Sequence, residues 1–131
     1  MLTWLIREAI VRLYPRDGDL PGAEDCDLDA FLARFRRETS PLMWLGVVLG
    51  AIVFHLTPLF TVSVPLPAFA LSRELADRHA QRISTTHVYL VRQALFLVKL
   101  VAGLAWGGHP SVRARFALSP YPPDPGTWRT S

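Results

Sequence analysis

From Thr39 to Ser72 the chain runs for 34 residues without one Asp, Glu, Lys or Arg. A stretch that long cannot be left in water, so it must be covered by the rest of the chain, by a partner or by lipid. Its first half, Leu42–Leu56 (LMWLGVVLGAIVFHL), is apolar all round and reads as a buried helix. Ser40-Pro41 is a good start for it, with Ser at the N-cap and Pro at the first helical position. Pro58 limits this helix, and Pro65 and Pro67 make Leu59–Leu71 extended or irregular. Pro41–Thr57 holds 17 residues, which at about 1.5 Å each reach roughly 26 Å, short of a ~30 Å hydrocarbon core. Burial in a small helical domain, against a partner or at a membrane surface fits that length better than spanning.

The flanking segments are helical too. Leu2, Leu5, Ile6, Ala9, Ile10 and Leu13 recur at helical spacing before Pro15. Residues 15–27 form an acidic, turn-rich loop, and a second helix begins near Asp25 or Asp27 with Leu28, Phe31, Leu32 and Phe35 on one stripe. Arg34, Arg36 and Arg37 suit its C-terminal dipole. Ser72 caps a polar helix to about Ile83, and Ser84 or Thr85 starts a long apolar one over Thr86–Trp106, ended by Gly107-Gly108. Pro110 starts a short helix through Phe116. The last thirteen residues carry four prolines and read as an extended strap, with Tyr121 and Trp128 to dock it. The expectation is an all-α fold of about five or six helices, a single domain over 1–118, and an extended proline-rich tail over 119–131.

Charge is unevenly placed. Residues 1–39 hold eight acids against six arginines, and residues 40–131 hold seven Arg and one Lys against three acids. The basic residues of the second half are scattered rather than clustered, which argues against nucleic-acid binding. Only 19% of residues are charged and mean hydropathy is +0.24, so disorder is excluded for most of the chain. The N-terminus lacks the basic start, apolar stretch and cleavage site of a signal peptide, which predicts a cytoplasmic or membrane-associated chain with no export signal of its own.

No catalytic constellation stands out. The histidines His55, His79, His87 and His109 show no metal-ligand spacing. His55 in the apolar run invites a haem-ligand reading, and a hydrogen-bonded core histidine is the plainer one. Cys26 lies among carboxylates that blunt a thiolate. The loop acids lack the order of a calcium-binding EF-hand. Arg92 and Lys99 are the most informative pair. On a greasy helix they need an acid such as Glu74 or Asp77, the membrane interface, or an acidic or carbonyl-rich patch of a partner. With Phe96 and Gly103 they share one helical face.

The segment Ala9–Leu32 resembles the opening of the gluconate 2-dehydrogenase subunit 3 family: Leu13-Tyr14-Pro15 ends a helix, Pro21-Gly22-Ala23 forms the loop, and Asp27–Phe31 opens an acid-capped helix. A later stretch, from Tyr89 through Arg92, Lys99 and Trp106 to His109-Pro110-Ser111-Val112-Arg113, is similar to two groups. One is the accessory segments beside flavin alcohol oxidoreductases of the glucose–methanol–choline class. The other is the start of long-chain alcohol oxidases, whose corresponding turn has Asp where this chain has His109. The resemblance covers about half the chain. It implies a non-catalytic small subunit that binds and stabilises a large FAD-dependent alcohol or sugar dehydrogenase in a hetero-oligomer, in some members with a cytochrome. FAD would then sit in the partner, with no cofactor, metal or catalytic residue in this chain. Trp44, Arg92, Lys99, Trp106, Tyr121 and Trp128 are the expected partner-facing residues. Family members commonly carry a twin-arginine export signal, which this sequence lacks. The alternative is a small integral membrane anchor or scaffold with two hydrophobic helices.

Overall fold

A computed structural model describes residues 2–123, and these are all helix, turn and irregular chain. Seven helices follow in order: α1 Leu2–Leu13, α2 Leu28–Glu38, α3 Pro41–Leu56, α4 Pro58–Thr61, α5 Arg73–Ser84, α6 Tyr89–Gly108 and α7 Pro110–Arg115. Two 3-10 turns, Ala23–Asp25 and Ala68–Ala70, punctuate the loops. The all-α expectation holds; the seventh helix is the four-residue α4.

The centre of the domain is α1, α3 and α6 packed on one another, with α2 and α5 against their flanks. Ile6 and Ile10 of α1, Val47 and Phe54 of α3, and Leu95, Val98 and Val101 of α6 are fully buried, joined by Leu32 and Ile83 from the flanking helices. Each such side chain removed from water contributes roughly 1.5–3 kcal/mol before chain entropy is counted. Close approach of α3 to α6 depends on Gly50. A Cβ there would meet the Ala94 carbonyl oxygen and sit 2.7 Å from Val98 Cγ2.

Local details follow the sequence in places and depart from it in others. Ser40 accepts from the Met43 N–H at 3.1 Å, and Ser72 accepts from the Leu75 N–H at 3.4 Å, as capping serines should. Asp27 precedes α2 but does not cap it with its side chain; its backbone is left-handed at φ 30°. Asp25 instead accepts from the Gly22 N–H at 3.0 Å and from Arg16, closing the acidic loop. The Arg16 bond is the main reason that the Asp25 carboxyl is held below its ordinary pKa, with the Gly22 N–H second.

Three boundaries need correcting. The stretch after Pro58 is helical for one turn, because proline at a first helical position forfeits no hydrogen bond. The long apolar helix begins at Tyr89, not Thr86, because the Thr86 hydroxyl accepts the Val88 N–H and holds a turn there. It also continues through Gly107-Gly108 and stops at His109, which is extended before Pro110. The His109 imidazole then caps α7, accepting the Ser111 N–H at 3.2 Å.

Candidate functional site

Thr39, which leads into α3, lines one groove with Leu104 and Gly108 near the end of α6. The two helices therefore run antiparallel, with Gly46 toward Leu97 and Gly50 toward Ala94 and Val98. Their inner faces are buried against α1. Their outer faces carry Leu42, Leu45, Leu49 and Leu56 on α3, and Phe96, Leu100 and Leu104 on α6. These seven are between 43% and 78% exposed, and on each helix they fall at i, i+3, i+4 or i+7 steps. Both stripes lie opposite the core and border the α3–α6 contact, so they merge into one apolar face roughly 21 Å long. Leu59 and Phe60 of α4 extend it at the C-terminal end of α3, Phe60 being 83% exposed. Neither α3 nor α6 contains an acid. Soluble monomers seldom leave a continuous apolar surface of this size in water.

The two cations of α6 run along the edge of that face. Arg92 is exposed, donates to the Thr86 carbonyl at 3.3 Å and lies 5.9 Å over the Tyr89 ring. Lys99 is half-buried. Among the described residues no carboxylate pairs with either; Glu74 pairs with Arg78 at 3.3 Å instead. The expected internal pair with Glu74 or Asp77 is therefore absent. Phe96, between them on the face they share, is 56% exposed.

The aromatic candidates divide. Trp44 packs into the chain, 6.3 Å from the Phe35 ring, with the Arg36 guanidinium 5.4 Å over its own ring. It braces α2 against α3, away from the outer stripe. Trp106 donates its indole N–H to the Pro21 carbonyl at 2.8 Å and stacks on Tyr14 at 6.0 Å. That ties the loop after α1 to the end of α6. Tyr121 is 65% exposed, with Arg113 3.9 Å over its ring, and it shares the groove with Leu104, Phe31 and Phe35. Trp128 and the rest of the tail from residue 124 lie outside the described residues.

The polar interior is small. His79 is fully buried, with Nε2–H donating to the Phe54 carbonyl at 2.7 Å and Nδ1 accepting from the Thr61 hydroxyl at 2.5 Å. His55 donates Nε2–H to the Leu5 carbonyl at 2.8 Å, which makes it a hydrogen-bonded core histidine. Burial pushes the pKa of both below the ordinary imidazole value, partly offset by those carbonyls. Cys26 is buried against the Gly22 carbonyl, and burial first, then Asp25, raises its thiol pKa. A thiol in that setting is a poor nucleophile. Among the described residues no group of three His, Cys, Asp or Glu side chains is placed to hold a metal ion.

One residue with a large structural role has no sequence signature. Arg12 forks to the Ala68 carbonyl at 2.9 Å and the Phe69 carbonyl at 2.6 Å while pairing with Glu8 at 2.5 Å. It fastens the 3-10 turn of the uncharged stretch to α1. The exposed stripes were equally hidden, since a helix that is apolar all round does not announce which side will face outward. Searches of protein families, characterised proteins and solved structures return no match to this chain. What stands is a packed helical fold with an uncovered apolar face.

Proposed function

We propose that this chain is the small, non-catalytic subunit of a large FAD-dependent alcohol or sugar dehydrogenase of the glucose–methanol–choline class. The observation that carries the reading is the apolar face of α3 and α6. It is broad, free of acids and edged by Arg92 and Lys99, which is the make-up of a permanent subunit interface with cationic rim contacts. Covering it is worth roughly 1.5–3 kcal/mol for each large side chain fully buried. The family resemblance of Ala9–Leu32 supplies the identity of the partner. In this reading the partner carries FAD and performs the oxidation, a cytochrome is an optional third component, and Tyr121 starts a strap over the complex.

The test is purification of the tagged chain in mild detergent, with an absorbance spectrum and mass spectrometry of the eluate. A co-eluting flavoprotein of that class is the expected result. A colourless eluate holding this chain alone refutes the reading.

The second reading, a membrane anchor, has α6 in its favour. This helix is 20 residues long and apolar enough to cross a bilayer, and about 1.5 Å per residue gives roughly 30 Å. Alkaline carbonate separates the two: release from membranes fits the peripheral subunit, and retention fits the anchor.

A further inference from the structure

At the C-terminal end of α3 a groove of about 520 Å³ opens, walled by His55, Leu56, Leu59, Val64, Leu66 and Phe69 among others. That volume falls within the roughly 300–1,000 Å³ of small-molecule sites. Apart from His55 the named wall is hydrocarbon. His55 is 2% exposed, and its Nε2 carries the proton, because the Leu5 carbonyl can only accept. Nδ1 is therefore an unprotonated acceptor. It is the one buried side-chain nitrogen or oxygen without a partner among the described residues. Protein interiors normally satisfy such atoms. Nδ1 itself has almost no exposed surface, so a wall side chain must turn for a ligand to reach it; the Phe69 ring, 37% exposed, stands 5.4 Å from the imidazole at 59°.

We propose that this groove binds a single-chain aliphatic alcohol, its hydroxyl donating to His55 Nδ1 and its alkyl chain lying along Leu56, Leu59 and Leu66. A lone acceptor selects a donor head group, which excludes ethers, esters and ketones. A carboxylate would need the imidazolium, which burial disfavours. Mostly hydrocarbon walls offer little to a second polar group, so sugars and diols are disfavoured as well. The inference does not rest on the dehydrogenase reading, and Leu56 and Leu59 are shared between this groove and the apolar face.

The test uses the full-length chain, labelled with ¹⁵N-histidine and kept in solution by an amphipathic polymer. It is titrated with 1-decanol and, separately, with 1-methoxynonane, which has the same heavy atoms but no donor. Decanol is expected to saturate and to move the His55 Nδ1 resonance in the direction of hydrogen-bond acceptance. The ether is expected to bind about tenfold more weakly, the usual effect of one lost hydrogen bond, and to leave Nδ1 unmoved. His55→Phe should reduce decanol binding to the level of the ether. Leu66→Trp, which fills the groove from an exposed position, should abolish binding of both ligands and keeps the test decisive if His55→Phe does not fold. Equal affinity for the two ligands, an Nδ1 resonance already at its hydrogen-bonded position without ligand, or decanol binding retained in Leu66→Trp overturns the proposal.

Discussion

Replacing Gly50 with alanine adds one methyl at the closest approach of the two central helices. Two effects oppose each other. Glycine to alanine in a helix interior favours folding by about 1 kcal/mol. The new Cβ, however, would lie 2.7 Å from Val98 Cγ2 and 3.1 Å from the Ala94 carbonyl carbon, with the carbonyl oxygen nearer still. A side chain can rotate aside but the Ala94 backbone cannot, so α6 must retreat from α3. Opening from 2.7 to 3.4 Å at Val98 alone means a shift of about 0.7 Å, transmitted to Val47, Phe54 and Val101. Overpacking of this kind costs about 1–3 kcal/mol at flexible positions and more against backbone. The net expectation is a loss of roughly 1–2 kcal/mol, or about 3–10 °C in Tm for a domain of this size. Two controls make the reasoning sharp. Gly107→Ala meets nothing within 4 Å and should raise Tm slightly; Gly46→Ala meets only the movable tip of Leu97 at 2.8 Å and should fall between. Thermal melts by circular dichroism rank the three. Gly50→Ala melting at or above the parent would refute the proposed packing of α3 on α6.

Other expectations can be checked as directly. Leu100→Glu, at a position 43% exposed on the apolar face, should leave the melting temperature within the equivalent of about 0.5 kcal/mol. It should also abolish co-purification of the flavoprotein partner proposed above; a retained partner would move the interface elsewhere. Trp106→Phe removes the indole donor to Pro21 and should cost about 1 kcal/mol, with amide exchange accelerated in residues 15–27. Unchanged exchange there would show that the loop is held by other means. Stability should be full above about pH 6.5, the unfolded imidazole pKa. It should decline as pH falls from there toward the lowered folded pKa of His55 and His79, because the unfolded chain binds more protons in that window. Denaturant midpoints between pH 8 and pH 5 test this, with His79→Gln flattening the slope; a flat parent profile would mean that these rings accept protons without strain.

Much of the fold is written locally. Ser40-Pro41 and Ser72 start their helices through contacts three residues away, and Pro15 and Pro58 bound theirs because proline has no N–H to give. Helical spacing of Ile6, Ala9 and Ile10 marks the inward side of α1, which is amphipathic. Such signals act within one or two turns, and sequence carries them intact. Where local signals competed, one overrode the other: Gly107-Gly108 reads as a stop, yet the helix passes through them to His109, which Pro110 holds extended.

The candidate site belongs to the other category. Both α3 and α6 are apolar on nearly every side, so periodicity cannot say which leucines face α1 and which face outward. Packing against α1, and the Gly50 approach between the two helices, alone turn Leu45, Leu49, Phe96 and Leu100 to the same surface. Likewise His55 reads in sequence as a polar interruption of an apolar run. Only the fold brings Leu5, fifty residues away, to its Nε2 and leaves Nδ1 unmatched beside a groove. The sequence alone settled that this chain is helical and richer in apolar surface than its own core can use, because helix signals and composition are local properties. The tertiary structure decided where the excess appears, because exposure is a property of the neighbours a side chain acquires.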